Sequence, residues 1–356
     1  MQIKNRRRIP VLAIALATAA VIGLAGCSAG SSPSPSTSAK SSGTETMPAS
    51  VIKAAKAEGS LTIYTSNEQK SMAVTAQAFQ SQYGIKVNVV RTAAQVAEQK
   101  FTTEISSDSP TADILLVGDN AFYKQQTGAN VFLPLSEKDE PNFAAWPTKY
   151  RTSEWIVSLI SPLGIAYNTS AVSKSDVPTS WKDILKAKYK GKIMAADPRA
   201  IPAYLAVYNY WLDNYGPSFL TSFKNQNPQR VSSTVSGSQQ VVAGEKDFLL
   251  PNLEGIILPL VQQGAPIAMA QFKDTIGSEV GGAISIKAPH KAAAKLFMNW
   301  IMSKTGQANY SAPYKAASPI KGVPGTIPLP AGYTSPNIVE AQNNLNKIVQ
   351  LLGLGS

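Results

Sequence analysis

The sequence predicts an α/β protein of two doubly wound units separated by a cleft. Three observations carry that expectation. Short apolar runs alternate with helical periodicity, the alternation restarts near residue 164, and about 300 residues remain once an N-terminal leader and linker are set aside. That length suffices for two lobes of ordinary domain size. Alternating strands and helices imply largely parallel sheets with helices on both faces.

In the first unit, Leu61–Tyr64 reads as a strand, and Ser71–Tyr83 as a helix with Met72, Ala76, Phe79 and Tyr83 on one face. Ile85–Val90 is a second strand. Ala93, Ala97, Phe101 and Ile105 recur every four residues on the next helix, and Asp113–Val117 is a third strand. The second unit opens with a strand at Gly164–Asn168 and a short helix at Trp181–Leu185, then a buried strand at Lys192–Ala196. A helix near 203–214, a strand at Arg230–Thr234, a helix at Gln239–Ala243 and a strand at Asp247–Leu250 follow. Strands at Ile267–Gln271 and Gly282–Ile286, a helix at Lys291–Met302 and one amphipathic helix at Ile338–Leu352 complete the chain. A cleft is expected at the carboxyl ends of the strands, where open α/β sheets bind ligands.

The N-terminus predicts export. Lys4, Arg6, Arg7 and Arg8 precede an uncharged apolar run, Val11–Ala25, that ends in Leu24-Ala25-Gly26-Cys27. A basic start, a short apolar run and a small-residue cleavage site make a secretory signal, residues 1–26. The run falls short of the roughly 20 residues a bilayer core requires. Cys27 is the only cysteine, so no internal disulfide can form. Residues 27–57 read as a tether, with its Ser-, Pro- and Thr-rich part, up to about Ala49, too poor in large apolar residues to fold. Twenty-two such residues would span roughly 25 Å.

Composition excludes several chemistries. The chain carries 33 basic and 22 acidic residues, a formal charge of +11; loss of residues 1–26 removes four basic residues and leaves about +7. No basic cluster interleaved with aromatics remains, so nucleic acid is not an expected partner. The single histidine, His290, is expected to be a solvated loop residue, and with Cys27 set apart no Ser-His-Asp, Cys-His or His/Cys zinc arrangement can be assembled. No cofactor is expected, and the chain is expected to act as a monomer.

Several segments together resemble one family. They are Gly59-Ser60-Leu61-Thr62-Ile63-Tyr64-Thr65-Ser66, Tyr167-Asn168-Thr169, Val177 through Leu185, Tyr189-Lys190-Gly191-Lys192-Ile193, Ala196-Asp197-Pro198-Arg199, Val241 through Glu245, Gly264-Ala265-Pro266-Ile267 and Ala288 through Phe297. Their order and spacing over roughly residues 58–310 are similar to those of the extracellular solute-binding proteins of bacterial ABC importers, family 1, in the ferric-iron-binding-protein-like branch. Leu24-Ala25-Gly26-Cys27 resembles the bacterial lipobox, which implies lipidation of Cys27 and anchoring outside the cytoplasm, periplasmic or on the outer face of the plasma membrane. The resemblance implies a two-lobed periplasmic-binding-protein-like fold of class II type, without catalysis, that hands a solute to membrane permease subunits. The lobes are expected at 58–160 plus 266–302 and at 161–265 plus 303–352.

The cleft residues expected from strand ends are Thr65, Ser66 and Asn67 after the first strand, Arg91 and Thr92 after the second, and Gly118 and Asp119 after the third, with Arg91 alternatively a solvated surface residue. Hydroxyls and free N–H groups at a helix start suit an oxyanion, although Ser66 or Asn67 could simply cap the helix. From the second unit come Asp197 and Arg199, and then Thr234, Ser236 and Gly237 ahead of a helix, which they could alternatively just cap. Arg199 either grips a carboxylate or phosphate or braces its loop against Asp197. The ferric-binding members of the family use a histidine, a glutamate and two adjacent tyrosines; those places fall here on Glu68, Gly118, Glu254 and Gly255. Two glutamates alone make a poor ferric site, since the ion prefers several anionic oxygens. Tyr204, Tyr208, Tyr210 and Tyr215 lie on a predicted helix and read as core. Glu254 opposite hydroxyl-rich helix starts would suit a solute with an anionic head and a cationic amine. The expected solute is therefore a small anionic organic molecule, phosphate- or phosphonate-bearing or zwitterionic. Ferric iron or an iron chelate at an atypical site, an exported carboxylate-dependent hydrolase and a scaffold protein are the alternatives.

Overall fold

Strands alternate with helices from Met47 onward in the computed structural model, which describes residues 47–355. The expected signal segment, Cys27 and the tether up to residue 46 lie outside the described residues. The elements in chain order are α1 (Ala49–Glu58), β1 (Ser60–Thr65), α2 (Gln69–Tyr83), β2 (Lys86–Arg91), α3 (Ala94–Ser106), β3 (Ile114–Val117), α4 (Asn120–Gln126) and β4 (Ile156–Asn168). Then follow β5 (Ile193–Ala196), α5 (Pro202–Tyr215), α6 (Pro217–Lys224), β6 (Gln229–Val231), α7 (Thr234–Val242), β7 (Phe248–Leu253), α8 (Glu254–Gln262) and β8 (Ile267–Ala270). The chain closes with β9 (Asp274–Thr275), β10 (Gly277–Ile284), α9 (Lys291–Ile301), α10 (Lys304–Tyr310), β11 (Gly332–Tyr333), α11 (Ile338–Asn343) and α12 (Leu345–Leu351).

Two five-strand arrangements share one strand. The first runs β2-β1-β3-β10-β4, with β10 antiparallel to both neighbours. The second runs β6-β5-β7-β4-β8, with β4 antiparallel to both of its neighbours there. Residues 156–162 of β4 pair with β10, and residues 163–168 pair with β7 and β8. Each half therefore receives one antiparallel strand from the crossing segment of the chain, in the same position of the order. This is the two-lobed α/β fold expected from the sequence. Among the described residues no helix is long and apolar enough to cross a membrane.

Burial explains the elements. β1 and β3 are covered on both faces and buried along nearly their whole length, as parallel strands under two helical layers should be. β2, at the edge, stays largely open. Phe79 of α2 packs on Phe297 and Trp300 of α9 in the first core. In the second, Trp211 of α5 meets Trp181, Phe219 and Phe223. The tyrosine stripe on α5 is core: Tyr204 and Tyr208 are buried, Tyr210 and Tyr215 pack at its margin.

Several elements differ from their sequence reading. Residues 49–57, read as tether, form most of α1, which joins the first core through Ala55. β4 starts eight residues before Gly164, because Pro162 and Gly164 punctuate a run that the sheet nevertheless keeps extended. The hydroxyl-rich stretch from Thr234 is already helical rather than preceding the helix. Ile338–Leu352 is two short helices meeting at Asn344. Tyr310, Ala316 and Ala317 join the first core, whereas Ala341, Ile348 and Leu352 join the second, so the region from residue 303 is divided between the two cores. His290 is not simply solvated. Its backbone N–H (2.6 Å) and its Nδ1 (3.0 Å) both contact the buried carboxylate of Asp113 where α9 begins.

Candidate functional site

Backbone geometry gathers the first-lobe candidates on one sheet edge. The Ser66 N–H donates to the Leu116 carbonyl (3.2 Å), the Thr92 N–H to the Thr65 carbonyl (3.0 Å) and the Gly118 N–H to Ser66 Oγ (3.2 Å). These bonds join the ends of β1, β2 and β3. Thr65 is buried, and its hydroxyl donates to Leu116 O while accepting from the Asn67 N–H. Asn67 is buried too: its Nδ2 donates to the Tyr310 hydroxyl at 2.9 Å. Asp119 caps α4 by accepting from the Ala121 and Phe122 N–H groups. The α2 cap is neither Ser66 nor Asn67 but Glu68. Against the upward pull of burial, the N–H groups of Lys70 and Ser71 hold the Glu68 carboxyl below its usual range. Ser66, Arg91 and Gly118 remain accessible at this edge.

The second-lobe candidates share an edge of their own. The Asp197 N–H donates to Val231 O (3.0 Å), linking the ends of β5 and β6. Arg199 folds back on Asp197, with Nη2 2.7 Å and Nε 2.9 Å from its carboxylate oxygens, and Nη1 donates to Gly355 O. The Arg199 pairing, more than burial can oppose, holds the Asp197 carboxyl low. Loop bracing is thus the arrangement the structure displays. Thr234 is buried, its hydroxyl 2.6 Å from that of Tyr204. Gly237 faces the core, and a Cβ there would stand 3.0 Å from Leu249 Cδ2, so this glycine serves helix–sheet packing. Ser236 is exposed and donates to Ser233 O. Glu254 opens α8, where burial raises its carboxyl and the charge of Lys315 partly offsets that.

One segment that sequence reasoning missed, residues 309–315, ties the start of α2 to the start of α8. It is bolted to α2: the Thr75 hydroxyl donates to Asn309 O (2.9 Å) and the Tyr314 hydroxyl to Glu68 O (3.0 Å). On its other side the Tyr314 carbonyl abuts the first turn of α8, where a Cβ on Gly255 would lie 2.8 Å away. Any side chain at 255 would collide with backbone. Tyr310, behind this segment, takes the Asn67 amide and lies 3.1 Å from the Ser158 hydroxyl of β4. Burial pushes Tyr310 up to about 12 and drives Tyr314 higher, with Arg91 opposing the latter, so both phenols are neutral. Arg91, Tyr314, Lys315 and Glu254 thus line one junction with two cations, a phenol and a carboxyl. Nothing in the spacing of Ala312-Pro313-Tyr314-Lys315 announces this role, which depends on where α10 docks.

Residues 64–308 match the family described as bacterial extracellular solute-binding protein, and the chain belongs to that family. It is 25% identical over 316 residues to the Fe(3+)-binding periplasmic protein of Serratia marcescens, covering 84% of this chain and 91% of that protein. Iron-bound HitA from Pseudomonas aeruginosa superposes with a TM-score of 0.65 at 18% identity, covering 82% of this chain and 99% of that one. AfuA from Actinobacillus pleuropneumoniae with fructose-6-phosphate bound gives 0.60 at 20%, covering 83% and 99%. The particular protein is thus a solute-binding component of ABC-transporter type whose neighbours in fold hold iron in one case and a sugar phosphate in another.

Proposed function

We propose that this chain is the lipid-anchored receptor of an ABC importer, tethered through Cys27 outside the cytoplasm. It captures a small anionic organic solute, phosphate- or phosphonate-bearing or zwitterionic, between its lobes and delivers it to permease subunits without chemical change. The observation that carries the reading is the junction of Arg91, Tyr314, Lys315 and Glu254. Arg91, at the same sheet edge as Ser66 and Gly118, suits an anionic head, and the half-buried Glu254 beside Lys315 suits a zwitterion's amine. A solute touching both edges favours closure only through its greater affinity for the closed state, and the crossing strands give the lobes a hinge.

Iron is a second reading, favoured by the names of the Serratia and Pseudomonas relatives. The donor set here is poor for it. The Glu68 carboxylate is engaged by two N–H groups and both phenols are protonated. Among the described residues no three His, Cys, Asp or Glu side chains cluster as a metal site would require. Native mass spectrometry with elemental analysis, on chain purified without chelator, separates the two. The expected result is a stoichiometric organic mass, free of iron and lost on denaturation; Arg91→Ala weakens rebinding of that compound about tenfold or more. Stoichiometric iron would establish the second reading in its place.

A further inference from the structure

Away from the junction, α3 and α4 enclose an open groove of about 450 Å³ on the first lobe. None of the residues at the two sheet edges lines it. Among its lining residues is Glu98, only 7% exposed, whose Oε1 has no hydrogen-bond partner among the described residues. An ionised carboxylate taken out of water without a partner is costly, and such groups are normally paired. No lysine or arginine lines the groove. Its polar walls are the amides of Gln95, Gln99, Gln125 and Gln126, whose carbonyl oxygens accept N–H donors. Phe122 and Ile105 supply an apolar wall, against which methylenes or a guanidinium plane can lie.

We propose that this groove is a second ligand site, for a small organic cation bearing a primary ammonium or guanidinium group, with Glu98 as its counter-ion. Size, wall chemistry and the unpaired carboxylate point the same way. The volume lies in the range of small-molecule pockets. Burial, with the charge of Asp119 adding to it, pushes the Glu98 carboxyl up to about 7, so an arriving cation finds a group readily ionised at neutral pH.

Agmatine, which carries both head groups on a short methylene chain, is the probe. Titrated calorimetrically into the full chain, it is expected to bind saturably and one to one. Glu98→Gln, nearly isosteric and free of the unpaired charge, is expected to fold and to bind agmatine at least about tenfold more weakly. Gln126→Ala keeps the carboxylate and is expected to weaken binding severalfold. Absence of saturable binding, or equal affinity in Glu98→Gln, would overturn the proposal. So would agmatine affinity lost in Glu254→Gln and kept in Glu98→Gln, because the amine would then sit at the interlobe junction.

Discussion

The two lobes repeat one strand order but hold their candidate edges in different ways. In the first lobe the edge is tied from far along the chain: Asn67 to Tyr310, Thr75 to Asn309 and the Glu68 carbonyl to Tyr314 span more than 230 residues of sequence each. In the second lobe the ties are shorter in sequence, with Asp197 to Arg199 two residues apart, Thr234 to Tyr204 thirty apart and Arg199 to the Gly355 carbonyl 156 apart. Long-range ties couple the first edge to β4 through Ser158, and β4 is the strand that both halves share. The first edge is thereby braced against the crossing strands.

The sharpest way to break this comparison is to remove the phenol at its centre. Tyr310 is fully buried and joins three segments. Tyr310→Ala is expected to cost about 3–5 kcal/mol in urea unfolding, comparable to loss of other large aromatic cores. Tyr204→Phe in the second lobe removes only one hydroxyl bond and is expected to cost about 1 kcal/mol. Similar losses, after allowing for Tyr310→Phe as the matched hydroxyl deletion, would mean that the distant ties are no more than ordinary packing.

A second difference concerns buried acid. Glu140 of the first core region is fully buried, its Oε2 accepting the Ser136 N–H and its Oε1 without a partner among the described residues. Burial pushes its carboxyl up to about 7, with the Ser136 N–H and Lys295 opposing the shift. A folded-state value above the unfolded one favours the protonated, folded form. That contribution is complete below the unfolded value near 4.5 and is lost as pH rises through about 7. The loss is on the order of 3 kcal/mol. Glu140→Gln, which still accepts from Ser136, is expected to flatten stability between pH 4.5 and 7.5 by that order. An unchanged profile would place the acid in contact with water.

Much of this was legible from residue order, for identifiable reasons. Strands buried on both faces write continuous apolar runs, so β1, β3, β5 and β7 stand close to where periodicity put them. Candidate edges were legible as the residues after those strands. Which of their side chains remain free was not, because Thr65, Asn67 and Thr234 are committed to partners 30 to 243 residues away. Tyr314 and Lys315 left no periodic signal at all: α10 is one short helix, and its place against α2 follows from the whole tertiary fold. Gly255 was visible only as a departure from a tyrosine, and its steric reason appears once Tyr314 is beside it.

Arg199 gives the smallest effect and the finest discrimination. Its pair with Asp197 is bidentate, yet the guanidinium is 44% exposed, and exposed pairs contribute roughly 0.2–1 kcal/mol. Arg199→Ala is therefore expected to lower stability only slightly, with the loss shrinking in high salt. Affinity for the solute recovered with the protein carries the argument. A brace that only shapes its own loop leaves affinity within about twofold, since the Asp197 N–H still ties β5 to β6 through Val231. A loss of tenfold or more, with stability nearly unchanged, would mean that the solute draws Arg199 away from Asp197 on closure. The second edge would then contribute a cation to the site, the role proposed for Arg91 at the first, and the asymmetry between the lobes would belong to the empty state alone.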